Sequence, residues 1–205
     1  MAHIEMIAGT DDAGIAAWLE QRLADALEGR GEIAIAVPGG TSPFPIMDIL
    51  ARAPLDWHRV AVWAGDDRLV PEDHPASNVG RVRERLEPAG ARIVPLGEGA
   101  SPPHFALVWL GIGTDGHTAS LFPNTDPRAD DPLSVRRITP DPLPPEAPFE
   151  RVTMTIPALL DSDELVFVIR DAAKRKLFED AAAGRNDLPV ARLLAAARQP
   201  VTCFT

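Results

Sequence analysis

The sequence predicts an α/β fold, a single doubly wound and mainly parallel sheet with helices on both faces. Three observations carry this reading. Short apolar runs recur without the strict alternation of a half-exposed strand, amphipathic stretches of helical period lie between them, and Gly-, Asp- and Pro-rich loops stand where the runs stop.

The first helix starts at Asp11 or Asp12, either of which can cap it. Ile15, Leu19, Leu23 and Leu27 then recur every four residues, Trp18 and Ala26 widen the stripe, and Gly29 and Gly31 end it. Residues 32–37 read as a buried strand stopping at Pro38-Gly39-Gly40, with a short helix from Pro43 toward Leu50. The alternation repeats with a strand at 59–64, a loop rich in Asp and Pro, and a helix from Ser77 that turns Val79, Val82 and Leu86 inward. Further strands are predicted at 92–96, 105–111, 151–155, 165–170 and 200–204, and helices at 172–183 and 190–198. Residues 124–148 depart from the pattern. Pro127, Pro132, Pro140, Pro142, Pro144, Pro145 and Pro148 leave no sustained period there, and the segment reads as an ordered excursion. Without an internal repeat or low-complexity tract, residues 1–205 read as a single domain.

Composition narrows the function classes. The chain is 45% hydrophobic and 24% charged, which suits one compact core, and its formal net charge of −10 opposes binding to nucleic acid or an anionic membrane. An anionic ligand would therefore be held by a few placed cations and backbone N–H groups. Cys203 is the single cysteine, so no internal disulfide forms, and a cytoplasmic location is expected. The first 20 residues lack a basic flank before an apolar stretch, and the run at 105–113 is far short of the ~20 residues of a membrane span.

Ligands of open α/β sheets bind beyond the carboxyl ends of the strands, so the loops there are where chemistry is expected. Gly39-Gly40-Thr41-Ser42 offers close backbone approach, free N–H groups and two hydroxyls to a phosphate, and it equally fits a tight strand-to-helix turn. Asp66-Asp67-Arg68 sets a planar cation beside two carboxylates, a pattern also usual in solvated charged turns. Lys174 follows the strand at 165–170 and equally suits an exposed helix face. Gly111, Gly113 and Gly116 have dinucleotide-fingerprint spacing, but Pro123 follows too soon for the long helix that motif opens. His117, framed by Asp115, Gly116 and Thr118 at a strand's carboxyl end, is a credible general base. His3, His58, His74 and His104 lie outside such loops and read as surface or structural residues. No Gly-x-Ser-x-Gly elbow and no zinc-spaced cluster is present, and Cys203 reads as a buried strand residue.

The stretch Leu110-Gly-Ile-Gly-Thr-Asp-Gly-His-Thr-Ala-Ser-Leu-Phe-Pro123 resembles the signature of the 6-phosphogluconolactonase family. Val37-Pro-Gly-Gly-Thr-Ser-Pro43, Trp63 through Asp66-Asp67-Arg68 to Ser77-Asn78, and Arg151-Val-Thr-Met-Thr155 leading to Lys174 resemble the same family in the same order. The resemblance implies a sheet shared with glucosamine-6-phosphate deaminases, hydrolysis of a phosphorylated sugar lactone, and no metal or organic cofactor. It also implies His117 as base with Asp115 and Arg68 in the catalytic group. Gly39, Gly40, Thr41, Ser42, Asp66, Arg68, Gly116, Arg151 and Lys174 are then implied to meet the substrate or its phosphate.

Three departures from the family pattern carry expectations of their own. Asp67 stands where family members usually have glutamate, and its shorter arm implies a looser hold on Arg68. Asp171 replaces a common glycine and sets a negative charge near Lys174. The short stretch at 88–104 lacks a helix, so Trp109 and its neighbours must be covered by other residues or by a partner subunit. Two other functions fit parts of the sequence. A glucosamine-6-phosphate deaminase would continue its Asp-Gly-His with a Phe-Asn-Glu type of segment, whereas Thr118-Ala-Ser-Leu-Phe-Pro123 follows here. A non-catalytic sugar-phosphate sensor would carry a basic DNA-binding segment, which this acidic chain does not show.

Overall fold

A computed structural model describes residues 3–143, 145 and 147–205, so Pro144 of the proline-rich excursion lies outside the described residues. The chain order is β1 (Ile4–Ile7), α1 (Asp12–Gly29), β2 (Ile33–Val37), α2 (Phe44–Leu50), β3 (Val60–Ala64), β4 (Asp66–Arg68), α3 (Asn78–Leu86), β5 (Arg92–Val94) and β6 (Leu107–Leu110). There follow β7 (Val135–Ile138), β8 (Arg151–Met154), α4 (Ile156–Leu160), β9 (Leu165–Val168), α5 (Ala172–Ala182), α6 (Pro189–Ala196) and β10 (Val201–Phe204).

Seven strands form a parallel sheet in the order β1-β10-β9-β6-β2-β3-β5. From β2 the chain moves outward to β3 and β5, and from β6 it moves the other way to β9 and β10, so the winding reverses between β2 and β6. A crevice opens at such a reversal because the connections leaving the two adjacent strands diverge to opposite faces.

Every residue of β2, β3 and β6 is buried, as expected of strands covered on both faces. Alternate residues divide between two cores. Ala34, Ala36, Val108 and Leu110 enter one, while Ile33, Ile35, Val37, Leu107 and Trp109 enter the other with the stripe of α1. Asp11 caps α1, its carboxylate accepting the Gly14 N–H at 2.8 Å. At the other end the Arg59 guanidinium donates to the carbonyls of Leu27, Arg30 and Gly31, so a distant arginine closes a helix whose end the sequence assigned to glycines.

The structure corrects the sequence reading in five places. The stretch at 151–155 is predicted within the alternating strand-helix series, yet β8 pairs antiparallel with β4 and β7 in a separate three-stranded sheet. Asp66-Asp67-Arg68, expected as a loop, is the edge strand β4 of that sheet, and β7 lies inside the proline-rich excursion. The edge strand β1 is added at the amino end, where its half-exposed pattern gives little apolar signal. The short helix α4 after β8 is also additional. Val135, Val152 and Met154 of the small sheet share a core with Val108, Phe105 and Phe167, which fixes the two sheets against each other.

Candidate active site

The loops leaving β2, β6 and β9 meet β4, β8 and the start of α5 around one cleft of about 340 Å³. Gly39, Gly40, Thr41, Ser42, Asp66, Arg68, His117, Arg151 and Lys174 all line it. Asp115 and Gly116 do not line it; Asp115 meets the His117 imidazole and Gly116 shapes the turn before it.

That loop is tightly constrained. The Gly113 N–H donates to the His117 carbonyl at 2.9 Å and the Gly116 N–H to the Gly113 carbonyl at 3.1 Å, which folds the segment back on itself. Gly116 adopts φ +81°, and a Cβ there would lie 2.7 Å from the Leu188 side chain. Gly113 passes so close to the imidazole that a Cβ would lie 2.2 Å from His117 Nδ1. The ring is held on its other side by Phe122, centroid to centroid 4.6 Å. His117 Nδ1 lies 2.6 Å from Asp115 Oδ1, and the backbone N–H of His117 donates to the same oxygen at 3.2 Å. An ionised carboxylate can only accept, so the proton of a neutral imidazole is placed on Nδ1 and the lone pair on Nε2. Hydrogen bonding to the imidazole holds the Asp115 carboxyl below its ordinary range, so it remains an anion through neutral pH.

Arg68 is held differently from the sequence expectation. The carboxylate of Asp67 is buried and does not reach the guanidinium. It accepts the N–H groups of Arg68 at 2.8 Å, Asn78 at 2.5 Å and Val79 at 3.1 Å, and the Ser77 hydroxyl at 3.1 Å. Burial pushes this carboxyl above its usual value, against the pull of those donors. Asp67 therefore binds β4 to the amino end of α3, where orphan N–H groups and the helix dipole favour an anion. The guanidinium is instead held by the Asn78 Oδ1 at 2.5 Å and the Ala76 carbonyl at 3.2 Å. Asp66 accepts a short hydrogen bond from the Ser120 hydroxyl, which ties β4 to the histidine loop.

Arg151 is 3% exposed, and its guanidinium donates to the carbonyls of Ala147 and Phe149, each at 2.7 Å. It braces the end of the proline-rich excursion against the cleft. Asp171 is the N-cap of α5, accepting the Lys174 N–H at 2.9 Å. Lys174 is thus a cation in a helix's first turn, a placement the macrodipole disfavours and an anionic ligand would reward.

The sequence reading missed the positions that act through others. Asn78, Ser120, Phe122 and Leu188 each touch a candidate residue; Ser120 and Leu188 meet theirs across long separations in sequence, while Asn78 and Phe122 lie ten and five residues from theirs without a periodic pattern to mark the contact. Among the described residues, no group of three or more His, Cys, Asp or Glu side chains is arranged to hold a metal ion. Cys203 is buried, and burial pushes its thiol up to about 12, which suits the expected structural role.

Comparison with known proteins bears on the family and the fold. The family model of glucosamine-6-phosphate isomerases/6-phosphogluconolactonase matches residues 12–101 and 89–202. A 6-phosphogluconolactonase of Pseudomonas aeruginosa is 35% identical, with 92% of this chain and 87% of that protein covered. One from Mesorhizobium japonicum is also 35% identical, covering 93% and 88%. Among solved structures, a 6-phosphogluconolactonase from Thermotoga maritima superposes with a TM-score of 0.83 at 22% identity, covering 100% of this chain and 99% of that one. One from Shewanella baltica gives 0.82 at 24% identity, covering 100% and 97%; at such identities these two establish the fold.

Proposed function

The chain belongs to the glucosamine-6-phosphate isomerase/6-phosphogluconolactonase family, and from that premise we propose that it hydrolyses 6-phospho-D-glucono-1,5-lactone to 6-phosphogluconate, a step of the pentose phosphate pathway. The observation that carries the reading is the contact of 2.6 Å between Asp115 and His117 Nδ1, which leaves Nε2 as the basic atom on the wall of a cleft lined by Arg68 and Lys174.

His117 Nε2 takes a proton from water as the water oxygen bonds to C1. The carbonyl pair moves onto oxygen, giving a tetrahedral oxyanion. When that oxyanion collapses, the bond from C1 to the ring oxygen breaks and the departing oxygen receives the proton from His117. Asp115 offsets the charge of the intermediate imidazolium. Arg68 and the loop Gly39–Ser42 hold the phosphate, Lys174 adds a second cation, and Asp66, on the same wall, meets the substrate. No covalent enzyme intermediate and no cofactor is required, since the lactone is an activated ester. We read residues 1–205 as one catalytic domain with a small-molecule partner and a cytoplasmic location. Neither nucleic acid nor membrane is a partner in this reading, and among the described residues no helix is long and apolar enough to cross a membrane.

The test is lactone hydrolysis, with the spontaneous background subtracted, beside ammonia release from glucosamine 6-phosphate. Hydrolysis unaffected by EDTA is expected. Ammonia release without hydrolysis would transfer the assignment to the deaminases.

A further inference from the structure

Asn78 opens α3 and is 2% exposed, yet its side chain reaches three separate parts of the cleft. Its Nδ2 donates to the Asp66 carbonyl at 2.9 Å and approaches the Asp66 carboxylate at 3.4 Å. Its Oδ1 accepts from Arg68 Nη1 at 2.5 Å. The third contact is with the glycine loop, for a Cβ on Gly39 would lie 2.0 Å from both Cγ and Oδ1 of this amide. The orientation has one solution, because the Asp66 oxygens only accept and the guanidinium only donates. The amide cannot flip without setting acceptor against acceptor and donor against donor. Its own helix is fixed in turn, since the buried Asp67 carboxylate accepts the Asn78 backbone N–H at 2.5 Å.

We propose that Asn78 is the positioning residue of the anion site, setting the Arg68 guanidinium and the Gly39 backbone in one register so that both meet the same phosphate. Asn78 acts through those two groups and leaves the reacting carbon untouched. Among the described residues Arg68 Nε is buried without a hydrogen-bond partner, and Asn78 and the Ala76 carbonyl are the contacts that fix the fork. The absence of a glutamate after Asp66 then does not loosen the cation, because the anchor is an amide ten residues further along the chain.

This inference rests on the anion-binding role of the cleft assigned above, and its test is read by binding as well as by turnover. In Asn78→Ala, the Kd for 6-phosphogluconate and the KM for the lactone should rise roughly tenfold or more, since hydrogen bonds to charged groups are worth that much, while kcat stays within about threefold. Preference for the phosphorylated over the unphosphorylated lactone should fall with them. Arg68→Ala combined with Asn78→Ala should lose less than the product of the two single losses, the part that survives being the one Asn78 exerts through Gly39. Gly39→Ala supplies the second line, because its Cβ drives into the amide. It should weaken 6-phosphogluconate binding in the wild-type background and add little in the Asn78→Ala background, where the obstructing atoms are gone. Additive losses for Asn78 and Arg68, or a Gly39→Ala penalty equal in both backgrounds, overturn the proposal. If Asn78→Ala does not fold, Asn78→Ser takes its place in both cycles, and unchanged binding in Gly39→Ala alone also overturns it. A wild-type protein that binds 6-phosphogluconate but hydrolyses nothing would defeat the proposed reaction and leave these couplings measurable.

Discussion

At the scale of single residues, the imidazole and its carboxylate set the pH response. Asp115 is held below the ordinary carboxylate range by His117, so it does not titrate where an imidazole does, and the acid limb of activity should follow a single proton. His117→Ala should lower kcat about 100-fold to 10,000-fold with KM comparatively unchanged, as expected for loss of a positioned general base. Asp115→Asn should lower kcat, because an amide can donate to Nδ1 and so leave the imidazole proton on Nε2, where it cannot accept from water; an unchanged kcat would show that Asp115 only shapes the loop. The two cations of the cleft are separable in the same way. Arg68 is fixed by Asn78 and Ala76, whereas Lys174 extends from a helix start whose Asp171 already answers the local dipole. Arg68→Ala should therefore erode the preference for phosphorylated over unphosphorylated gluconolactone more than Lys174→Ala does. Steady-state kinetics on both lactones decides it, and a larger loss at Lys174 reverses the assignment.

At the scale of elements, the connections before β6 and β9 are clamped by a histidine outside the cleft. His104 Nδ1 lies 2.6 Å from Asp161 and Nε2 2.9 Å from Asp163, so both ring nitrogens face carboxylates. Those hydrogen bonds raise the His104 pKa above its ordinary value. A raised folded pKa means that the contribution to stability is complete below the unfolded value of ~6.5 and is lost as pH rises through the folded one. His104→Ala should thus lower the urea midpoint more at about pH 6 than at about pH 9, by the modest amount typical of a half-exposed pair. Equal effects at both pH values would refute the ionised clamp. The sequence marks His104 only as a residue away from the strand-end loops. Its partners lie 57 and 59 residues away, beyond any local pattern.

At the scale of the whole molecule, the cleft draws its wall from both sheets and from α5, so a ligand there bridges parts that unfolding would separate. Binding stabilises by about 2.7 kcal/mol at 100 times Kd. For a chain of this length the melting temperature should rise by roughly 5–10 °C with 6-phosphogluconate. Calorimetry showing no shift at saturating 6-phosphogluconate would remove the cleft as the binding site. The concern raised by the short stretch at 88–104 is answered within the chain. Trp109 is 2% exposed and packs in the core that holds the α1 stripe, so an uncovered Trp109 gives no motive for association.

The sequence by itself determined the parallel α/β class, the helices at α1, α3, α5 and α6, and the strand-end loops that carry Gly39 and His117, while Arg68, expected on a loop, stands on β4 and Lys174 in the first turn of α5. It could do so because helical period, buried-strand runs and glycine at strand ends are local signals, written in residues a few positions apart. The second sheet was hidden because β4 is a charged triplet and β7 sits among prolines, so neither has the apolar run of a buried strand. Only the tertiary structure decided that Asp67 serves α3 while Asn78 holds Arg68, and that Arg59 closes α1. A carboxylate or guanidinium takes whichever partner the packed backbone brings within about 3 Å, and that choice is made by folding distant segments together.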